Sequence, residues 1–173
     1  MMSSSAYLSR IILASALAGT LAYASGNSNV TTDTHMNQIA TGPFDVKLNP
    51  LEAYNRDEGA HLGRMSIDKQ FHGDLDATSK GEMLSTGVPG PKGSGAYVAI
   101  ERVSGTLHGR RGSFVLAHNA TMTLGVPYLN IIVAPGTGTD ELVGLAGRMK
   151  IDIAPGGKHS YTFEYTLASA APH

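Results

Sequence analysis

From Pro43 onward the apolar side chains recur at every second position, the spacing that puts alternate residues on opposite faces of a β-strand. Phe44, Val46 and Leu48 alternate with Asp45, Lys47 and Asn49, and Met149, Ile151 and Ile153 with Arg148, Lys150 and Asp152. The clearest row is the last, in which Tyr161, Phe163, Tyr165 and Leu167 interleave with Ser160, Thr162, Glu164 and Thr166. Helical stripes are nearly absent. Further strands are predicted near 61–71, 75–86, 95–106, 113–123 and 128–134, set apart by turn-rich pieces such as Pro89-Gly90-Pro91 and Pro135-Gly136-Thr137-Gly138. A short helical piece is expected over Asp140 to Leu145. The count is about eight strands with no helix to cover a sheet, so the pattern predicts an all-β fold that removes its edges by closing into a small antiparallel barrel. A sandwich is the alternative, because periodicity does not report closure.

The first part of the chain follows a different rule. Residues Met1 to Arg10 are mostly polar with one basic residue, Ile11 to Leu21 form an apolar run, and Ala22-Tyr23-Ala24 supplies small residues at a cleavage position. That order predicts a signal peptide over 1–24 and export to the periplasm or the medium, with no membrane attachment afterwards. Residues 25–42 read as a flexible leader, 43–168 as the barrel and 169–173 as a tail. One domain fits the length that remains.

Composition narrows the chemistry. Hydrophobic residues make up 42% and charged residues 16%, with 21 glycines, a folded and turn-rich composition. The net charge of -1 becomes about -2 when Arg10 leaves with the signal, and no block of like charges remains, which argues against a nucleic-acid partner. Arg110 and Arg111 are the one local basic cluster, expected at a solvated hairpin tip. With no cysteine there is no disulfide and no thiolate chemistry. The seven histidines lack HxH or HExxH spacing, and the Gly-Thr-Gly run lacks the Lys-Ser/Thr of a phosphate loop, so neither a metal nor a cofactor is implied.

Two stretches carry a resemblance. Glu101 to Leu107 followed by Gly109 to Leu116 and His118, and later Pro135 to Gly138, Glu141-Leu142, Gly144-Leu145, Gly147 and Tyr161 to Tyr165, resemble a family of small bacterial proteins catalogued as a domain of unknown function. Structures in that family look like the allene oxide cyclase barrel, an eight-stranded, calycin-like relative of lipid-binding barrels. The resemblance implies that fold and no particular activity, because one fold hosts many functions.

The register of one hairpin points to a site. A two-residue loop within His108-Gly109-Arg110-Arg111 pairs Leu107 with Gly112, Val103 with Leu116 and Glu101 with His118. The apolar face of that hairpin carries Tyr97, Ala99, Glu101 and Val103 against Phe114, Leu116, His118, Ala120 and Met122, so it turns inward and takes Glu101 and His118 with it. Buried ionisable groups must pair. Glu101 and His118 are therefore the candidate catalytic or ligand-anchoring dyad, or a structural pair. Tyr97, Phe114, Leu116, Met122, Tyr161, Phe163 and Tyr165 are the candidate ligand-lining residues, or simply core. Three functions compete: a module binding an apolar or amphipathic small molecule, an isomerase or cyclase using the Glu-His pair, and a structural protein without ligand. The apolar outward positions of strands 95–106, 113–123 and 128–134 predict a homo-oligomer.

Overall fold

A computed structural model of the chain describes residues 37–167 apart from 58, 60 and 89–91. The expected signal peptide, the leader up to residue 36 and the tail from 169 lie outside the described residues. Eight strands follow one another: β1 (Gln38–Leu51), β2 (Leu62–Phe71), β3 (Leu75–Val88), β4 (Ser94–Leu107), β5 (Arg110–Thr123), β6 (Val126–Val133), β7 (Ala146–Ile153) and β8 (His159–Thr166). Each pairs antiparallel with the next, and β8 pairs back onto β1, so the sheet is a closed barrel. The helical piece expected over Asp140 to Leu145 is a single 3₁₀ turn, Asp140–Leu142. Its Leu142, with Leu145, joins the core.

β1 begins at Gln38, ahead of the boundary expected at Pro43. Its first residues carry little apolar signal, yet Ala40 is fully buried and Gln38 to Phe44 run in register against Tyr165 to His159. Closure needs this pairing, which leaves Ile39, Thr41 and Pro43 on the outer face and turns Ala40 into the core.

The barrel's two ends differ. At the end carrying the β2–β3 and β4–β5 turns, rings fill the interior: Phe114 stacks on Phe163 at 5.7 Å, Phe163 on Tyr165 at 5.2 Å, and Phe71 meets Tyr161 edge-on at 5.5 Å. Tyr161 also ties the seam between first and last strands. Its hydroxyl accepts the Leu75 N–H at 2.8 Å and lies 3.1 and 3.0 Å from the carbonyl oxygens of Thr41 and His72, to one of which it donates. At the other end β6 and β7 share only Ile131–Met149 and Ile132–Arg148, and the inner residues are smaller.

On the outer wall, Leu84 and Val98 pair across β3 and β4, Ile100 pairs with Ala117 and Ala117 with Ile132. Val98 and Ile100 of the expected band are exposed while Val115, Ala117 and Ile132 are half-buried, and exposed Leu84 of β3, outside that band, adjoins Val98.

Replacing Tyr161 by Phe keeps the ring and removes the hydroxyl, leaving the buried Leu75 N–H without an acceptor. Tyr161→Phe is predicted to lower unfolding free energy by about 1–3 kcal/mol in denaturant titrations, without loss of strand content.

Candidate functional site

The β4–β5 turn is one residue earlier than the sequence places it. His108 and Gly109 form the two-residue loop, both with positive φ (47° and 80°), and Leu107 pairs with Arg110. Glu101 therefore faces Leu116, and His118 faces Ala99. The expected direct pairing of Glu101 with His118 is corrected to a diagonal one. Moving a two-residue turn by one position changes the sum of paired numbers by two, so every side chain keeps its face. Glu101 and His118 both point inward, 0% and 6% exposed.

Two further residues join them. Lys69 (8% exposed) holds an inward position on β2 between Ile67 and Phe71, and Ser79 faces it across β3. Lys69 Nζ lies 2.7 Å from Glu101 Oε2, the Ser79 hydroxyl donates to Oε1, and His118 Nε2 stands 3.0 Å from Oε2. The ammonium also sits over the rings of Phe44 and Phe71, at 5.4 and 5.6 Å. Gly81 makes the room: it faces Glu101, and a Cβ there would overlap the Ile100 carbonyl and come within 2.8 Å of Glu101 Cα.

Burial alone pushes the Glu101 carboxyl up. Contact with His118, the charge and hydrogen bond of Lys69 and the Ser79 hydroxyl more than reverse this, and hold it at about 2 against an ordinary 4.5. Glu101 is thus an ionised acceptor with all its contacts inside the wall. His118 differs. Its Nε2 approaches the carboxylate off the direction of a hydrogen bond, and is buried without an aligned partner.

Above this layer, toward the end where β6 and β7 part, lies a cavity of about 560 Å³. Met83, Tyr97, Ala120, Met122, Tyr128 and Leu129 are its main lining. Ala120 is the next inward residue after His118 on β5, and the burial that raises the Tyr97 hydroxyl's pKa is reinforced by the Glu101 charge. The ionic layer therefore lies just beneath the cavity. Of the seven expected lining residues, Tyr97 and Met122 line it, Met122 at the exposed rim. Phe114, Leu116, Tyr161, Phe163 and Tyr165 do not: they are at most 2% exposed and fill the opposite half.

Lys69 escaped the sequence reading because a lysine in an alternating strand suggests the wet face. Its parity with Met65, Ile67 and Phe71 was the available signal. Ser79 was similarly legible in the row Leu75, Ala77, Ser79, Gly81, Met83.

Removing one charge strands the other in the core, so Lys69→Met is predicted to cost about 3–5 kcal/mol, and Lys69→Met with Glu101→Gln less than Lys69→Met alone. Acid provides the second check. A carboxyl lowered from 4.5 to about 2 stabilises the fold fully above pH 4.5 and loses that contribution as pH falls toward 2, a change of about 3 kcal/mol. Equilibrium unfolding between these pH values should show a corresponding loss in wild type, reduced in Glu101→Gln.

A family model described as "Protein of unknown function (DUF3224)" matches residues 40–165. Among solved structures the barrel is similar to a protein of unknown function from the same family of Shewanella oneidensis MR-1, at 48% identity and a TM-score of 0.72, covering 78% of this chain and 100% of that one. No curated protein matches. With the match spanning nearly the whole closed barrel, the chain belongs to the DUF3224 family.

Proposed function

We propose that the open half of the barrel binds an apolar or amphipathic small molecule. The observation that carries this reading is the cavity of about 560 Å³, walled mainly by methionine, aromatic and aliphatic side chains and within the size range of small-molecule pockets. His61, Ser85, Thr86, Ser94 and Thr121 supply polar groups toward its mouth, and Tyr97 one further in. The Tyr97 hydroxyl has no hydrogen-bond partner among the described residues, and His118 Nε2 lies one inward position below Ala120 without an aligned bond. Such an arrangement favours a ligand with an apolar body and one hydrogen-bonding end directed toward the floor.

The unpartnered His118 nitrogen is also what favours a second reading, proton transfer of the isomerase or cyclase kind. Glu101 suits that role poorly as a proton acceptor, because a carboxylate with a pKa of about 2 is a weak base. We assign Glu101 the task of fixing Lys69 and facing His118, and His118 the contact with the ligand. Export and self-association belong to the same proposal: the first rests on the N-terminal sequence, the second on exposed Leu84, Val98 and Ile100.

Displacement of 1-anilinonaphthalene-8-sulfonate by dodecanoate tests the binding reading. Wild type is expected to bind the dye saturably and release it to the fatty acid, and Ala120→Trp, which fills the cavity, to weaken both by about tenfold or more while remaining folded. No saturable binding by wild type would leave the barrel a structural protein.

A further inference from the structure

The outer wall carries a second concavity, on the side of β4 and β5 that faces away from the interior. It holds about 330 Å³ and is lined by Arg102, Ser104, Arg111, Ser113, Thr139 and Asp140. Ser104 and Ser113 are paired in register, and two residues before each stands an arginine. Because the strands are antiparallel, Arg102 and Arg111 flank the serine pair from opposite directions. Arg111 pairs with Thr106, four residues along β4 from Arg102, so the two arginine backbones are about 13 Å apart along the strands, a span their long side chains can close from both ends. Arg111 is a strand residue here, and the hairpin tip expected to carry it is His108-Gly109 instead.

Neither guanidinium meets a carboxylate among the described residues. Among the described residues Arg102 Nη2 donates to the Ser113 hydroxyl alone, at 3.1 Å, and the Arg111 side chain has no hydrogen bond. Surface arginines on this barrel do pair where an acid is in reach, as Arg64 does with Glu82. The two nearby acids are engaged otherwise. Asp140 accepts from the Thr139 hydroxyl at 2.9 Å, and Glu141 accepts the Arg111 backbone N–H at 2.8 Å. Lys80 of β3 faces Arg102 on one side and Asp68 of β2 on the other, so the outward row reads Asp68, Lys80, Arg102.

We propose that this shelf binds a tetrahedral oxyanion, the phosphate group of a free ion or of a phosphomonoester. Arg102 and Arg111 line the shelf from opposite ends with the Ser104 hydroxyl between them, and the Asp140 carboxylate lies at its edge, held by Thr139. That supplies donors around a centre, which suits four oxygens better than the two of a carboxylate. The Thr139 hydroxyl donates to Asp140 and stands 3.0 Å from the Ser113 hydroxyl, so the donors left for an anion are the two guanidinium groups and the Ser104 hydroxyl.

Amide chemical shifts of the full chain, followed by NMR during titration with inorganic phosphate at constant ionic strength, test the assignment. Saturable shifts are expected at Ser104, Ser113 and Thr139. Arg111→Gln should weaken binding by about tenfold, the worth of one charge-assisted contact. Its side chain makes no hydrogen bond or ion pair among the described residues, so the remaining spectrum should be unchanged. Arg110→Gln removes the same charge from the neighbouring position outside the shelf and should leave affinity as in wild type. Tighter binding of phenyl phosphate would identify an ester as the ligand, and equal binding the free ion. Absence of saturation, equal loss in the two variants, or acetate binding as tightly as phosphate would overturn the proposal.

Discussion

A carboxylate inside a barrel this small is tolerable only if every oxygen is engaged, and the packing around Glu101 follows from that requirement. Taking the charge out of water costs several kcal/mol, which one surface-type ion pair does not recover. Lys69, Ser79 and His118 all point at Glu101 from neighbouring strands. Three strands must therefore hold register to within one residue, because a slip on any of them would turn its contributor to the outside. Gly81 is part of the same constraint, since a side chain there would collide with the backbone of Glu101. Ionic pairing in the core thus acts on specificity of register as much as on stability.

That layer also divides the interior. On one side Phe71, Phe114, Tyr161, Phe163 and Tyr165 pack ring against ring, and Tyr161 fastens β8 to the turn between β2 and β3 through the Leu75 N–H. On the other side Met83, Tyr97 and Ala120 leave space. A rigid, filled half supports an open one, which is the arrangement expected of a site built on a scaffold rather than on loops.

Much of this was legible in the sequence because a strand has a period of two. The eight strands, and the inward direction of Glu101 and His118, follow from parity alone. Parity even survived an error in turn placement: with His108 taking a left-handed conformation that Gly109 alone was expected to need, the partner of Glu101 changed from His118 to Leu116 while its face did not. Three things could not be read. Lys69 looked like a solvated residue, because composition cannot tell an inward lysine from an outward one until its partner is known. The division between filled and empty halves depends on how ring volumes meet across closure, so the aromatic row of β8 suggested a lining where it forms a plug. The outer shelf sets Arg102 and Arg111 on either side of the Ser104–Ser113 pair, a pairing that the expected turn placed two residues away.

The most direct measurement of the central constraint is the ionisation of Glu101 itself, followed through its side-chain carboxyl carbon by NMR as pH is lowered on the folded protein. The account predicts a midpoint near 2, well below the ordinary 4.5, because Lys69, His118 and Ser79 outweigh burial. A midpoint at or above 4.5 would mean that desolvation prevails, that the carboxylate is not held by its three partners, and that the layer dividing the barrel is not the ionic one described.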